Sequence, residues 1–357
     1  MTTAFDGDDG SALGWIGTEA IQNGPADPVF NNYGGEERLW FGPEGSQFGL
    51  HFGSAAQCFE NYRVQDGMSR QPYQVLHRTS TSLVMGARIQ LRNAAGTRFD
   101  LQVERSIRVL DWIPYTTVAP GRIEFAGFVS ESRVTNVDRL PIRPETGMLC
   151  AWTPGLHPFH AGTVVVLPFR AGDINELGPS IRQDYVKDLC LGSVLSPECW
   201  SEKVDRALFR ADGGFRLKAG VSARRAVNRI GAINPGDGAL VIQDFDLYPE
   251  LPYVAPYWRR LTDEELSEGE AASTYIDGPD ANGNRAGDFY ELESLSPAMP
   301  LSPGESFVHR NRVCHLRGDR EALNLVSQRF LRTTFDEAEE LLRHSPAQAE
   351  SLTPVLV

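Results

Sequence analysis

The stretch FYELESLSPAMPLSPGESFVHRNRVCHL, Phe289–Leu316, decides how the rest of the chain is read. Its first part alternates as a strand does, which places Glu291 and Glu293 on one face. A Pro/Ser/Gly turn over Pro297–Gly304 follows. A second alternating run, Ser306–Leu316, returns with His309 and His315 on a shared face. Two carboxylates on one strand face beside a polar returning strand make an acid/base platform; alternatively both are solvated on an exposed face.

Working outward, most of the chain has the same character. Strand-like runs cover Arg38–Phe52, Ser82–Leu91, Phe99–Val109, Ile123–Asn136, Thr163–Phe169, Ala207–Ala211, Phe215–Leu217 and Ala239–Asp246. Gly, Pro, Asn and Asp clusters separate them, as hairpins and sheet connections require. The pair Gly86–Leu91 and Arg98–Val103 around Asn93–Gly96 reads as a hairpin. Helical spacing appears only near the end, over Asp319–Phe330, and again over Phe335–Arg343, which opens on a capping-box pattern between Thr334 and Glu337. The expected architecture is mainly β: one domain of two packed sheets over residues 1–318, with a helical appendage and a loose tail over 319–357.

Composition excludes several function classes. The 357 residues carry a formal net charge of −13, spread along the chain, which repels nucleic acid and anionic membranes. Hydrophobic content of 41% supports a large core, yet no apolar run reaches the length of a membrane helix. The N-terminus shows no basic start followed by an apolar stretch, so a cytoplasmic location is expected. Cys58, Cys150, Cys190, Cys199 and Cys314 lack zinc or CxxC spacing and read as reduced, buried thiols. Walker, GxGxxG, GxSxG and HExxH signatures are missing, which speaks against nucleotide cofactors and serine-hydrolase chemistry.

Several stretches together resemble galactose mutarotase-like proteins. FYELESLSP followed by LSPGESFVH is similar to that family's closing strands, where a glutamate precedes a proline and an L-x-PGE turn. Ile89–Leu110, IQLRNAAGTRFDLQVERSIRVL, is similar to its paired strands. VTNVD, GMLCAWTPGLHPF and GTVVVLPF occur in the family's order within Ser132–Phe169. RLWFGPEGSQFGLHF, Arg38–Phe52, resembles an uncharacterised bacterial branch of that superfamily. The early NRI and LHGG motifs of aldose 1-epimerases do not stand at the start of this chain, and the later GLHPYF is shortened to GLHPF.

The resemblance implies a mutarotase-like super-β-sandwich with a short C-terminal helical segment, acting on a mono- or oligosaccharide without a cofactor. It implies Glu293 as the base, with Glu291 as its substitute, and His157 of GLHPF as the acid. Trp40, Trp152, Tyr290 and Trp258 are candidate platforms for a pyranose face, with Glu44, His309 and Arg259 as polar contacts. Glu44, at a Pro-Gly turn, is expected to be exposed. Glycosidic-bond cleavage by hydrolysis or elimination, and non-catalytic sugar binding, are the alternatives on the same fold. Independently, Asp280, Asn282, Asn284, Asp288 and Glu291 stand at the spacing of an EF-hand calcium loop, although Arg285 replaces its glycine.

Overall fold

Two antiparallel sheets form the molecule, seen in a computed structural model that describes residues 3, 12–24, 30–160, 162–185, 198–279 and 282–343. In chain order the strands are β1 (Trp40–Gly42), β2 (Gln74–Arg78), β3 (Ser82–Arg92), β4 (Arg98–Val109), β5 (Ile123–Asn136), β6 (Cys150–Pro158) and β7 (Val164–Pro168). They continue as β8 (Trp200–Glu202), β9 (Arg206–Arg210), β10 (Leu217–Ser222), β11 (Arg229–Asn234) and β12 (Ala239–Phe245). The last are β13 (Glu270–Ile276), β14 (Phe289–Leu295) and β15 (Ser306–Gly318). The smaller sheet has the order β1-β6-β14-β13-β10, and the larger β2-β3-β4-β5-β15-β12-β11-β7-β9-β8.

Alternation fixes which side of each strand meets the other sheet. Leu217, Ala219, Val221, Ile276, Tyr290 and Leu292 of the smaller sheet pack on Val165, Leu167, Phe209 and Ile230 of the larger one. The opposite, outer face of the smaller sheet carries Trp40, Trp152, Lys218, Ser273, Glu291 and Glu293, by the registers that join these strands. Loops from the Pro43–Tyr62 and Tyr253–Leu266 regions cover that face. They contribute Phe52, Tyr257, Trp258 and Leu261 to a second apolar cluster, which Tyr185 completes from a separate segment.

The hairpin of β3 and β4 pairs Leu91 with Phe99 around Asn93–Gly96, as the turn residues predict. Arg38–Phe52 does not form a long strand. Only Trp40–Gly42 pairs; beyond it Pro43, Gly45 and Gly49 turn the chain, and both glycines lie so close to backbone of other residues that a Cβ would clash. The helices Arg320–Leu331 and Phe335–Arg343 cover the outer side of the larger sheet through Leu323, Val326, Phe335 and Leu341. Thr334 Oγ1 accepts from the Glu337 amide at 3.0 Å while Glu337 Oε2 accepts from the Thr334 amide at 3.1 Å, the reciprocal capping box. Thr334→Ala is expected to cost about 1 kcal/mol, read as a lower urea midpoint with an unchanged slope. The tail beyond residue 343 and Cys190 lie outside the described residues. Cys150, Cys199 and Cys314 are buried and not in disulfides, whereas Cys58 is partly exposed because it sits in a surface loop.

Candidate functional site

The site begins with β14. Glu291 and Glu293 share its outer face, yet neither is solvated: Glu293 is fully enclosed and Glu291 nearly so. Burying carboxylates requires partners, and the neighbouring strands supply them. Lys218 on β10 donates from Nζ to Glu293 Oε1 at 2.6 Å and to Oε2 at 2.8 Å. Trp152 Nε1 donates to Oε2 at 2.8 Å, and Ser273 Oγ donates to the same oxygen at 2.9 Å. Oε2 is thereby saturated, while Oε1 accepts from Lys218, and the neighbouring Glu291 carboxyl also bears on Glu293. Burial alone would raise the Glu293 carboxyl; the Lys218 charge and these donors carry it below the usual range.

Glu291 accepts from Arg38 at 2.6 Å, and that guanidinium lies over the Trp40 ring, 4.3 Å from its centroid. Trp40 meets Trp152 edge to face at 5.3 Å. Glu44 faces the same place from the loop after β1. Its expected exposure is not observed: it is buried, because Tyr185 covers it and donates to Oε2 at 3.0 Å. Burial pushes the Glu44 carboxyl up, with Lys218 opposing.

Arg38, Tyr185, Lys218 and Ser273 are not singled out by the sequence reading, and neither are two further titratable residues of the cluster. His51, in the run GLHFG, is buried with neither ring nitrogen hydrogen-bonded among the described residues, stacked on Tyr62 at 5.0 Å and 6.1 Å from Trp152. Burial brings it down to about 4. Glu270, the first residue of β13, is the other. Strict alternation would turn it inward with Ala272, but the register breaks: Val221 pairs with Ala272 and Ser222 with Glu270, leaving Ala271 as an extra residue. That bulge re-aims Glu270 to the outer face. Glu44, Glu270, Ser273, Glu293, Trp152 and Tyr185 line one enclosed cavity of about 10 Å³, room for a single water-sized sphere. An open cleft of about 490 Å³ lies alongside, sharing Pro43 and Val254 as its wall.

The other predicted residues lie elsewhere. His157 pairs with Tyr290 across β6 and β14, so both side chains point into the space between the sheets, away from Glu293. Their rings stack at 5.4 Å. Burial and the neighbouring His315 bring His157 down to about 3, and neither of its ring nitrogens has a hydrogen-bond partner among the described residues. His309 is also between the sheets, 3.0 Å from Ser294 Oγ. His157 and Glu293 are thus on opposite faces of one sheet, an odd number of positions apart in register, and cannot flank one sugar. Trp258, by contrast, borders the cluster: it packs with Phe52 and Tyr62 in the covering loops and bears on Glu44. Arg259 is held by Glu265 at 2.9 Å, near the surface.

The calcium spacing does not converge either. Glu291 is committed to Arg38, and Asp288 lies against Arg285 at 3.4 Å. Asp280 lies outside the described residues. Among the described residues no group of three or more His, Cys, Asp or Glu side chains is placed to hold a metal ion, and no helix is long and apolar enough to cross a membrane.

Residues 1–342 match the family described as a family of unknown function, DUF6786. The chain belongs to that family. No curated protein matches it. Among solved structures it is similar to a candidate aldose 1-epimerase from Escherichia coli K12, at 12% identity over 79% of this chain and 84% of that one, with a TM-score of 0.44. It is similar to the Slr1438 protein from Synechocystis sp. PCC 6803, at 13% identity over 87% and 86%, with a TM-score of 0.46. A candidate mutarotase from Salmonella typhimurium aligns at 9% identity over 86% and 84%, with a TM-score of 0.35. No residue role is taken from these likenesses.

Proposed function

We propose that this DUF6786 member is a carbohydrate-active enzyme that opens and recloses a sugar ring at the anomeric carbon, using the outer face of the smaller sheet. The observation that carries the reading is the split of the carboxyls around one aromatic-walled cavity. Glu293 is held as an anion, while burial pushes Glu44 up and Glu270 to about 8. Carboxyls driven apart in this way are what paired acid/base chemistry near neutral pH needs.

In this reading Glu293 Oε1 takes the proton of the anomeric hydroxyl. The O–H electron pair becomes the carbonyl π bond, the bond from C1 to the ring oxygen breaks, and the ring oxygen receives its proton from a protonated carboxyl of the same cavity. Rotation about C1–C2 and reversal of both transfers deliver the other anomer. The cavity is too small for a pyranose in the closed state, so the wall of Pro43, Val254 and Tyr185 has to yield on binding. Glycosidic-bond cleavage is the second reading, favoured by the adjoining 490 Å³ cleft, which has space for a further sugar.

A panel of neutral, amino and acidic sugars and short oligosaccharides, followed by proton NMR, tests both. Faster exchange between anomers than in buffer supports ring opening, and new reducing ends or unsaturated products support cleavage. Neither change, with no ligand-induced shifts, would remove the carbohydrate reading.

A further inference from the structure

Glu270 has three features that a structural ion-pair carboxylate does not need. A β-bulge at Ala271 turns it onto the site face, against the alternation of its own strand. Its carboxyl occupies the space over Gly220, where a Cβ would stand 2.1 Å from the carboxyl carbon and 2.2 Å from Oε2; any other residue at 220 would displace it. Oε1 accepts from Tyr257 at 3.2 Å, while Oε2 is buried with no partner among the described residues and belongs to a side chain lining the cavity shared with Glu293. A buried oxygen without a partner is costly to keep and uncommon in folded proteins.

We infer that Glu270 is the catalytic acid of this site, carrying the proton that passes from its Oε2 to the ring oxygen of a bound sugar while Glu293 Oε1 receives the proton of the anomeric hydroxyl. The inference rests on the ring-opening reading above. The balance is complete: one proton leaves Glu270, one arrives on Glu293, the bond from C1 to the ring oxygen breaks and the C1 carbonyl forms. Closure from the other face of the carbonyl restores both groups, and neither oxidant nor metal takes part.

Glu44 is less suited to the role, since Tyr185 donates to it and the Tyr62 hydroxyl also bears on it, an arrangement that favours the acceptor state. The charged and titratable groups that face Glu270 include Lys218 from β10, Arg182, Tyr257 and Glu293, with Tyr185 and Glu44 across the same cavity. The first two pull its carboxyl down and Glu293 pushes it up. Burial outweighs them and leaves the proton in place below about pH 8. Tyr257 donation also favours the anion. Removing that hydroxyl therefore moves the titration of Glu270 upward.

Infrared difference spectra of the full chain, wild type against Glu270→Gln at pH 6.5, test the proton directly. A protonated-carboxyl C=O band lost in the variant is expected; no such band at pH 6.5 overturns the inference, whatever the sugar results. Turnover in the sugar panel then tests the role. Glu270→Gln is expected to fall by about 10²–10⁴ with sugar-induced shifts retained, and Tyr257→Phe to move the alkaline limb of the rate profile above the wild-type position near pH 8. A Glu270→Gln variant that turns over at the wild-type rate overturns Glu270 as the acid and leaves ring opening standing. A Tyr257→Phe profile without displacement contradicts it as well, even if Glu270→Gln fails to fold. Wild-type silence on every sugar removes the ring-opening reading and the acid role together, while the band still reports the proton.

Discussion

Glu293→Gln is expected to remove turnover, by about 10²–10⁴, and to destabilise the chain by about 3–5 kcal/mol at pH 7. The lost turnover follows from the missing base, and the lost stability from the partner left behind. Lys218 is buried and directs its ammonium at the two Glu293 oxygens, with the Trp152 and Tyr185 rings each 5.1 Å away. A neutral amide at 293 strands that charge among aromatic walls. Lys218→Met added to Glu293→Gln is expected to restore much of the stability, because the unpaired ammonium is gone, and none of the activity. Urea unfolding of the two single variants and the double variant measures the coupling. Single-variant losses that simply add would show that the pair is not coupled as the geometry requires.

Acid unfolding is the second large effect. His51, His157 and His309 are buried, and burial brings them to about 4, about 3 and about 4, against an ordinary value of 6.5. Between those values and 6.5 the unfolded chain binds protons that the folded chain refuses. Stability is therefore full above pH 6.5 and is lost as the pH falls toward 4. Each histidine contributes a slope of about 1.4 kcal/mol per pH unit. Glu36 adds to the loss lower down. Burial alone would raise it, but His315 at 2.7 Å brings it to about 2, so its contribution is lost as the pH falls from 4.5 toward 2. Urea midpoints between pH 7.5 and 4.5 are expected to fall steeply below 6.5, and less steeply in His309→Asn. A midpoint constant to pH 4.5 would mean that these rings protonate in the folded state.

How much of this was legible in the sequence depends on which physical signal each residue leaves. The strands β14 and β15 are legible because strict alternation gives facing by parity, and Glu291 and Glu293 do share the outer face; the returning strand β15, however, joins the larger sheet and does not stand beside them as the platform reading expects. The capping box at Thr334 succeeded because it is local. His157 was placed beside Glu293 by motif resemblance, but β6 was visible only as far as MLCAW. Pro154 and Pro158 hid the remainder of the strand, and with it the parity that turns His157 inward. Glu44 looked exposed because its Pro-Gly turn is local, whereas its cover, Tyr185, lies far along the chain. Glu270 left no signal, since a bulge inverts facing and nothing in the sequence marks Ala271 as the extra residue. Lys218 was missed for a related reason. Lysines are rarely buried, and the strand-like run over Phe215–Leu217 stops one residue short of Lys218, whereas β10 continues to Ser222.

The placement of the chemistry on the outer face of the smaller sheet is tested most directly by comparing turnover of His157→Gln and Glu293→Gln, each confirmed folded, on the first sugar that the wild type converts. The account predicts that His157→Gln stays within a few-fold of wild type, because its ring lies behind the sheet, while Glu293→Gln loses at least about 10². The reverse result, loss in His157→Gln with Glu293→Gln still active, would contradict it and move the reaction to the space between the sheets.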